Sequence, residues 1–349
     1  MPELSVLIPA RNELYLPNTI DSVLSCIEAD TEIIVVLDGY WPYEPLPDHP
    51  RVTIIHHTVP VGQRRGVNEA ALISKAKYVM KLDAHSLVDK GFDVKLMKDC
   101  TDDDTTVIPR MYNLHAFDRI CPECGNRMYQ GPMTAKCEPN RGEGVVGGCG
   151  YEGEMKKEMV WKPRMNRRTD FARFDSDMHF QYWGKYESRP EAQGDICDLM
   201  SSVGACFFMT RRRFRRLGYM DEKHNPISGW GQFGTEISCK SWLSGGRQVV
   251  NKKVFFSHMF RTQGLDFGFP YEINGNDQER AKKYSRWLWK GGNWKHSVRP
   301  LSWLVEKFWP VPGWEQSDLD ALKATNTGSV VFCPVPLTDK ANPLPVSAV

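Results

Sequence analysis

Tyr78-Val79-Met80-Lys81-Leu82-Asp83-Ala84-His85 reads as a short apolar strand that ends on two metal-competent side chains. The run is partly β-branched and too brief for a helix. Side chains alternate faces along a strand, so Asp83 and His85, two residues apart, point the same way. A carboxylate with an imidazole suits Mn²⁺, or a similar divalent ion that must also hold phosphate oxygens. The pair alone is also compatible with a surface turn. The elements around it decide the reading.

Upstream, Leu4-Ser5-Val6-Leu7-Ile8-Pro9-Ala10-Arg11-Asn12-Glu13 reads as a buried strand running into a polar loop. Glu32-Ile33-Ile34-Val35-Val36-Leu37 is a second strand, ending in Asp38-Gly39. Between them, Pro17 to Ala29 has helical spacing at Ile20, Val23, Leu24 and Ile27, with Pro17 suited to the first turn. Arg51 to His56 is a third short strand, and Gly62-Gln63-Arg64-Arg65-Gly66-Val67-Asn68 enters a helix that leads to the Asp83 strand. This alternation predicts an open α/β sheet, which binds ligands at the carboxyl ends of its strands. Asp38 and Asp83 both fall at such ends, as a crevice for nucleotide phosphate and metal requires.

Residues 4–92 resemble the nucleotide-sugar half of a GT-A glycosyltransferase of the family 2 kind; Gly62 through Asn68 to Asp83 keeps that family's spacing. The second half resembles the polypeptide N-acetylgalactosaminyltransferases, which use Asp-X-His where most relatives use Asp-X-Asp. The matching segments are Gly204 to Glu222, Trp230-Gly231 to Gly246 with its Glu-Ile-Ser, Ser257-His258-Met259-Phe260-Arg261, and Ile273-Asn274-Gly275-Asn276 continuing to Ala281 and Tyr284. The resemblance implies a mixed, mostly parallel sheet flanked by helices. It implies Mn²⁺ (or Mg²⁺) on Asp83, His85 and His258, and a nucleotide-sugar donor, UDP-linked, held by Pro9, Arg11, Glu13, Asp38, Gly62, Arg65, Asn68 and Arg261. Gly204 and Trp230 are implied at the substrate. The chain departs from that pattern at Phe233-Gly234, where those enzymes have Glu-Asn and inverting relatives Glu-Asp. The nearest acid is Glu236, taken with Asp83 as a catalytic candidate. Loss of the usual carboxylate base favours transfer with retention, in which the leaving diphosphate accepts the proton.

Length and composition agree with one large core or two modest ones: 349 residues with a net charge of +2. No apolar run approaches the ~20 residues that span a bilayer. Met1 leads directly into the first strand, so no secretory signal is expected, and ten Cys then favour a reducing, cytoplasmic setting with thiols or metal ligands rather than disulfides.

The segment after residue 111 departs from the resemblance. Cys121-Pro122-Glu123-Cys124-Gly125 reads as a metal knuckle, which Cys137 and Cys149 would close into a Cys₄ set for structural Zn²⁺; the alternative is four free thiols in a loop. A basic stretch follows, from Lys156 and Lys157 through Lys162, Arg164, Arg167 and Arg168 to Arg173; Arg211 to Arg216 places five Arg around Phe214. Each run is either a solvated face or a track for phosphates. Trp287, Trp289, Trp294, Trp303, Trp309 and Trp314 cluster late, mostly as packing residues.

The expected organisation is a donor half over 1–111, a zinc-ribbon-like insertion over 112–155, a basic connection over 156–200, an acceptor and metal half over 201–290, and a Trp-rich extension with a Pro-rich tail over 291–349. The expected function is metal-dependent glycosyl transfer to a hydroxyl. The basic insertion favours a polyanionic acceptor, and a resemblance to phage-type glycosyltransferases points to a hydroxymethylated pyrimidine in DNA. Protein Ser/Thr or a cell-envelope glycan is the competing acceptor. A nucleotidyltransferase and an inactive zinc-ribbon nucleic-acid-binding protein are the other classes.

Overall fold

The computed structural model describes residues 1–42, 44–130, 136–138, 148–224, 231–261, 267–271 and 275–326. Its first half is built on four parallel strands, β1 (Leu4–Ala10), β2 (Thr31–Asp38), β3 (Val52–His57) and β4 (Tyr78–Leu82), side by side in the order β3-β2-β1-β4. Helix α1 (Leu16–Cys26) joins β1 to β2, and α2 (Gln63–Ile73) joins β3 to β4.

Burial explains the unbroken apolar runs. Leu4, Val6 and Ile8 of β1 face a cluster with Leu16, Ile20 and Val23 of α1, whereas Leu7 faces Val67, Ala70 and Ala71 of α2. A strand covered on both faces has no polar alternation to show. Gly66 lets α2 lie close on the sheet: a Cβ there would sit 3.2 Å from Val36 Cγ1.

The second half extends the same sheet. After β5 (Ser86–Val88) and α3 (Phe92–Asp99) come β6 (Thr105–Ile120), β7 (Arg127–Tyr129) and β8 (Lys156–Thr169). A small hairpin, β9 (Ala172–Phe174) with β10 (Phe180–Tyr182), precedes β11 (Ile196–Asp198) and β12 (Cys206–Thr210). Helices α4 (Arg211–Arg216) and α5 (Phe233–Leu243) lead to β13 (Arg247–His258), and α6 (Gly275–Ser285), α7 (Leu301–Lys307) and α8 (Gln316–Asn326) follow. The full order is β11-β13-β6-β12-β4-β1-β2-β3, with β12 antiparallel to β4 and β13 parallel to β6. The register that matters for the site is β13 against β5, with His258 opposite Ser86. It sets His258 beside the Asp83–His85 turn.

Two expected boundaries do not correspond to breaks in the structure. β6 runs unbroken across residues 111 and 112: its first half pairs with β13 and its second half with β8 in a long antiparallel ribbon. The basic stretch is therefore largely the outer strand of that ribbon rather than a separate connection. At the carboxyl side, Leu301, Leu304, Val305, Leu319 and Leu322 join the main core, so α7 and α8 are part of the body. Trp289, Trp294 and Trp314 are buried there, Trp303 and Trp309 pack against them, and Trp287 is 53% exposed. Residues 327–349, which include the Pro-rich tail, lie outside the described residues. No helix among the described residues is long and apolar enough to cross a membrane.

Candidate active site at the carboxyl ends of the sheet

A cleft of about 370 Å³ opens where β1, β2 and β4 end, and Pro9, Arg11, Glu13, Asp38, Asp83 and His85 line it from the first half of the chain. Gly204, Phe233, His258, Arg261 and Tyr271 line it from the second half. Ligand atoms of Asp83, His85 and His258 lie within 4.8 Å of one another, and His258 Nε2 is 3.2 Å from Asp83 Oδ2. β4 supplies the turn that carries Asp83 and His85; β13 supplies His258.

The surroundings orient this triad. Gln63 Nε2 donates to Asp83 Oδ1 at 3.1 Å, and Lys81 Nζ donates to the same oxygen and to the Gly204 carbonyl, the latter at 2.8 Å. Burial alone would raise the Asp83 carboxyl, but Lys81 and His258 outweigh it and hold it well below the usual carboxylate range. Burial pushes His258 down to about 4, so its imidazole is neutral near pH 7. His85 Nδ1 donates to Glu13 Oε2 at 3.1 Å, which leaves Nε2 for the cleft, and Glu13 is held in turn by Arg261. One ionised carboxylate, two imidazoles and a carboxylate behind one of them form a donor set suited to a divalent transition ion.

Asp38 lines the cleft and accepts from the Val61 amide at 2.5 Å and the Gly62 amide at 3.1 Å, tying down the loop that starts α2. Gly62, at φ +91°, is the residue before that helix. Arg11 stacks on the Tyr271 ring, 4.7 Å from its centroid. Gly204 is required by close approach as well as by its φ of +84°: a Cβ would meet the Gly234 amide nitrogen at 2.6 Å.

Other sequence expectations are placed elsewhere. Arg65 is exposed, bonded to Glu69 at 2.8 Å, and does not line the cleft; its neighbour Arg64 is the one turned inward. Asn68 is buried, with its side chain bonded to both the amide and the carbonyl of Met220 at 2.9 Å, so it joins α2 to the chain after α4. Glu236 is fully buried and does not line the cleft. Its oxygens are engaged by Arg64 at 2.9 Å, Lys240 at 2.9 Å and the Asp221 amide at 2.6 Å, with His224 Nδ1 at 3.4 Å. Burial would raise this carboxyl, but Lys240 and Arg64 bring it down to about 2. That is the geometry of an ionic clamp rather than a base aimed at an acceptor.

The Arg-rich helix α4 is likewise internal in its bonding. Arg212 pairs with Asp103 at 3.0 Å, Arg216 with Asp104 at 3.1 Å, and buried Arg213 bonds Thr106 Oγ1 at 3.0 Å. Trp230 lies outside the described residues. Cys121, Cys124, Cys137 and Cys149 come together at the end of the β6–β8 ribbon. Sequence reasoning passed over Gln63 and Lys81, although a lysine in a strand buried on both faces is itself a sign of a nearby carboxylate.

Residues 5–151 match the family model described as glycosyl transferase family 2. No curated protein matches the sequence. Among solved structures, that of GalNAc-T7 with UDP, GalNAc and Mn²⁺ is 17% identical and superposes with a TM-score of 0.56, covering 93% of this chain and 55% of that one. The S. aureus TarS 1–349 structure is 11% identical with a TM-score of 0.39, covering 74% of this chain and 60% of that one. The chain thus spans about half the length of the GalNAc-T7 chain it resembles in fold. Residues 5–151 thus carry the sequence pattern of family 2 glycosyltransferases, and the chain as a whole has a GT-A fold.

Proposed function

We propose that this chain transfers a sugar from a UDP-linked donor to a hydroxyl of hydroxymethylated DNA, with Mn²⁺ or Mg²⁺ and with retention of anomeric configuration. The observation that carries the reading is the gathering of Asp83, His85 and His258 within 4.8 Å in the cleft at the strand ends. These residues would hold the ion, whose contribution when bound is to neutralise charge on the departing diphosphate. The GalNAc-T7 structure holds UDP, GalNAc and Mn²⁺, and the shared fold is the reason to choose UDP here.

The residues around the triad supply orientation. Glu13 fixes the His85 ring, and Arg261 and Arg11, both lining the cleft, offer positive charge toward the diphosphate. Retention rests on the state of the acids. Position 233 is Phe, and each carboxylate lining the cleft among the described residues is engaged: Glu13 by His85 and Arg261, Asp38 by the Val61 and Gly62 amides, Asp83 by Lys81 and Gln63. None is left as a general base, which favours proton transfer to the leaving diphosphate on the same face.

The DNA acceptor is supported by β8, which presents Lys156, Lys162 and Arg167 exposed on the ribbon beside the sheet. The target base would be exposed from the stack before reaction. Arg212 and Arg216 of α4, paired with Asp103 and Asp104, lend no support. Incubation of labelled UDP-sugars with hydroxymethylated DNA, unmodified DNA and protein tests the whole reading. Metal-dependent labelling of hydroxymethylated DNA alone, giving an α-linked product from an α-linked donor by NMR, is the expected result. Labelling of protein alone would reject the DNA acceptor, and a β-linked product would reject retention.

A further inference from the structure

The end of the β6–β8 ribbon has almost no hydrophobic means of holding its shape. Among the described residues, none of the three apolar clusters has a buried member between residues 118 and 170. The buried residues that do occur there include Cys121 and Cys137. Their thiols meet those of Cys124 and Cys149: Cys121 Sγ is 3.6 Å from Cys149 Sγ, Cys124 Sγ is 3.6 Å from Cys137 Sγ, and all four sulfurs lie within 4.8 Å of one another. Four sulfurs bound to one zinc at about 2.3 Å and tetrahedral angles would be about 3.8 Å apart. A disulfide would need about 2.05 Å. The spacing matches a shared ion and not a covalent pair.

The backbone is shaped for the same purpose. The Gly125 amide donates to the Cys121 carbonyl at 2.9 Å, and the Cys121 amide to the Asn126 carbonyl at 2.9 Å, closing a tight loop around Cys124. Gly125 and Gly150, each directly after a cysteine, have φ of +71° and +79°. The second half is joined to Cys137 by Gly150 N to Cys137 O at 3.1 Å and Cys137 N to Tyr151 O at 2.7 Å. Gly148 passes so near that a Cβ would fall 2.2 Å from the Cys137 carbonyl oxygen. Asn126, 3% exposed, points Nδ2 at Cys137 Sγ from 3.5 Å, a donor placed for a thiolate.

We propose that Cys121, Cys124, Cys137 and Cys149 bind one Zn²⁺ as four thiolates, each thiol giving up its proton, and that this ion staples the end of the ribbon. With all four positions filled by protein the ion has no opening for substrate, so its role is to fix β6 against β8. β6 is the strand whose other half pairs with His258, and β8 carries the exposed lysines. The inference stands apart from glycosyl transfer, because it concerns metal content and ribbon order alone.

Elemental analysis of the full chain purified with a reducing agent tests it. One zinc per chain is expected, lost in Cys124→Ser and in Cys149→Ser and retained in His258→Ala. Reconstitution with Co²⁺ should give the intense visible absorption of a tetrahedral thiolate site. Limited trypsin digestion is the second readout: stripping zinc with a mercurial should expose cleavage after Lys156 or Lys157 while the rest of the sheet stays intact. Absence of zinc in the wild-type protein, iron in its place, four thiols oxidised as two disulfides, or zinc unchanged in both Cys→Ser variants would each overturn the assignment.

Discussion

Glu236→Gln separates an ionic clamp from a catalytic base. Glu236 faces Arg64 from α2, Lys240 from its own helix, and His224 from the turn after α4, at 2.9, 2.9 and 3.4 Å. Neutralising it takes a counter-charge at 2.9 Å away from Arg64 and from Lys240, both almost fully buried. Removal of one partner from a buried ion pair costs about 3–5 kcal/mol. The carboxyl itself gives a second route to that size: brought down to about 2, it contributes roughly 3 kcal/mol of stability at neutral pH by linkage. Because its pKa is depressed in the folded state, this contribution is fully present above the ordinary carboxylate value and is lost as pH falls through about 2. His224 acts in the same direction. Burial lowers it to about 3, so the unfolded chain takes up a proton below the ordinary imidazole value that the folded chain refuses.

Urea unfolding followed by tryptophan fluorescence should therefore show a lower midpoint for Glu236→Gln at pH 7. The gap from wild type should shrink as the pH is lowered from 4.5 toward 2. Donor turnover per folded molecule should stay within about an order of magnitude of wild type. Loss of a general base lowers turnover about 10²–10⁴-fold and leaves stability alone. An unchanged midpoint with turnover reduced to that degree would refute the clamp and restore Glu236 as the base.

His258→Ala should abolish Mn²⁺ binding measured by electron paramagnetic resonance and with it donor turnover, with cooperative unfolding retained; Mn²⁺ held as tightly as in wild type would remove His258 from the site. Asp83→Ala is the poorer test, because Lys81 behind it is fully buried and would lose its counter-charge. Arg11→Ala should raise the KM for donor at least tenfold, the size of a lost charge-assisted hydrogen bond, whereas Arg65→Ala should leave it within about twofold; equal effects would place Arg65 at the donor. Combined Ala substitution of Lys156, Lys162 and Arg167 should reduce the salt slope of DNA binding by up to about 2.7. An unchanged slope in that variant, with a reduced one in Arg212→Ala/Arg216→Ala, would move the DNA surface to α4.

The half of the fold that carries the first part of the cleft was legible because its strands are buried on both faces and end on acids. Two-sided burial produces runs such as Ile33 to Leu37 that no surface strand shows, and the ends of those runs mark the cleft. What could not be read were choices settled by partners distant in sequence. Arg64 and Arg65 are adjacent on a helix, roughly 100° apart around its axis, and which of them turns inward depends on where α5 lies. The arginines of α4 look like a polyanion track until Asp103 and Asp104, more than a hundred residues earlier, are found beside them. Asn68 sits within the sugar-nucleotide motif, yet its bonds go to Met220. Motif spacing identified the segment; it carried no information about which side of the helix the segment presents.

Phe233 shows how one departure from the family pattern is tied to others. Lys81 Nζ lies 4.8 Å from the centroid of its ring, and the Arg64 guanidinium 5.4 Å. An aromatic face attracts such cations without competing for them as a full charge would. Lys81 thus remains on Asp83 and Arg64 on Glu236. A carboxylate at position 233 would lie between two buried cations, and the nearer of them, Lys81, is the group that fixes one oxygen of Asp83. Drawing Lys81 away would free that oxygen and alter the only carboxylate of the triad. The lysine in β4, the arginine in α2 and the phenylalanine at the start of α5 therefore form one arrangement: with two cations behind the cleft, an acid at the base position would be bound as a counter-ion before it could reach an acceptor. The absence of that acid keeps Asp83 in place, in keeping with the proposed transfer with retention.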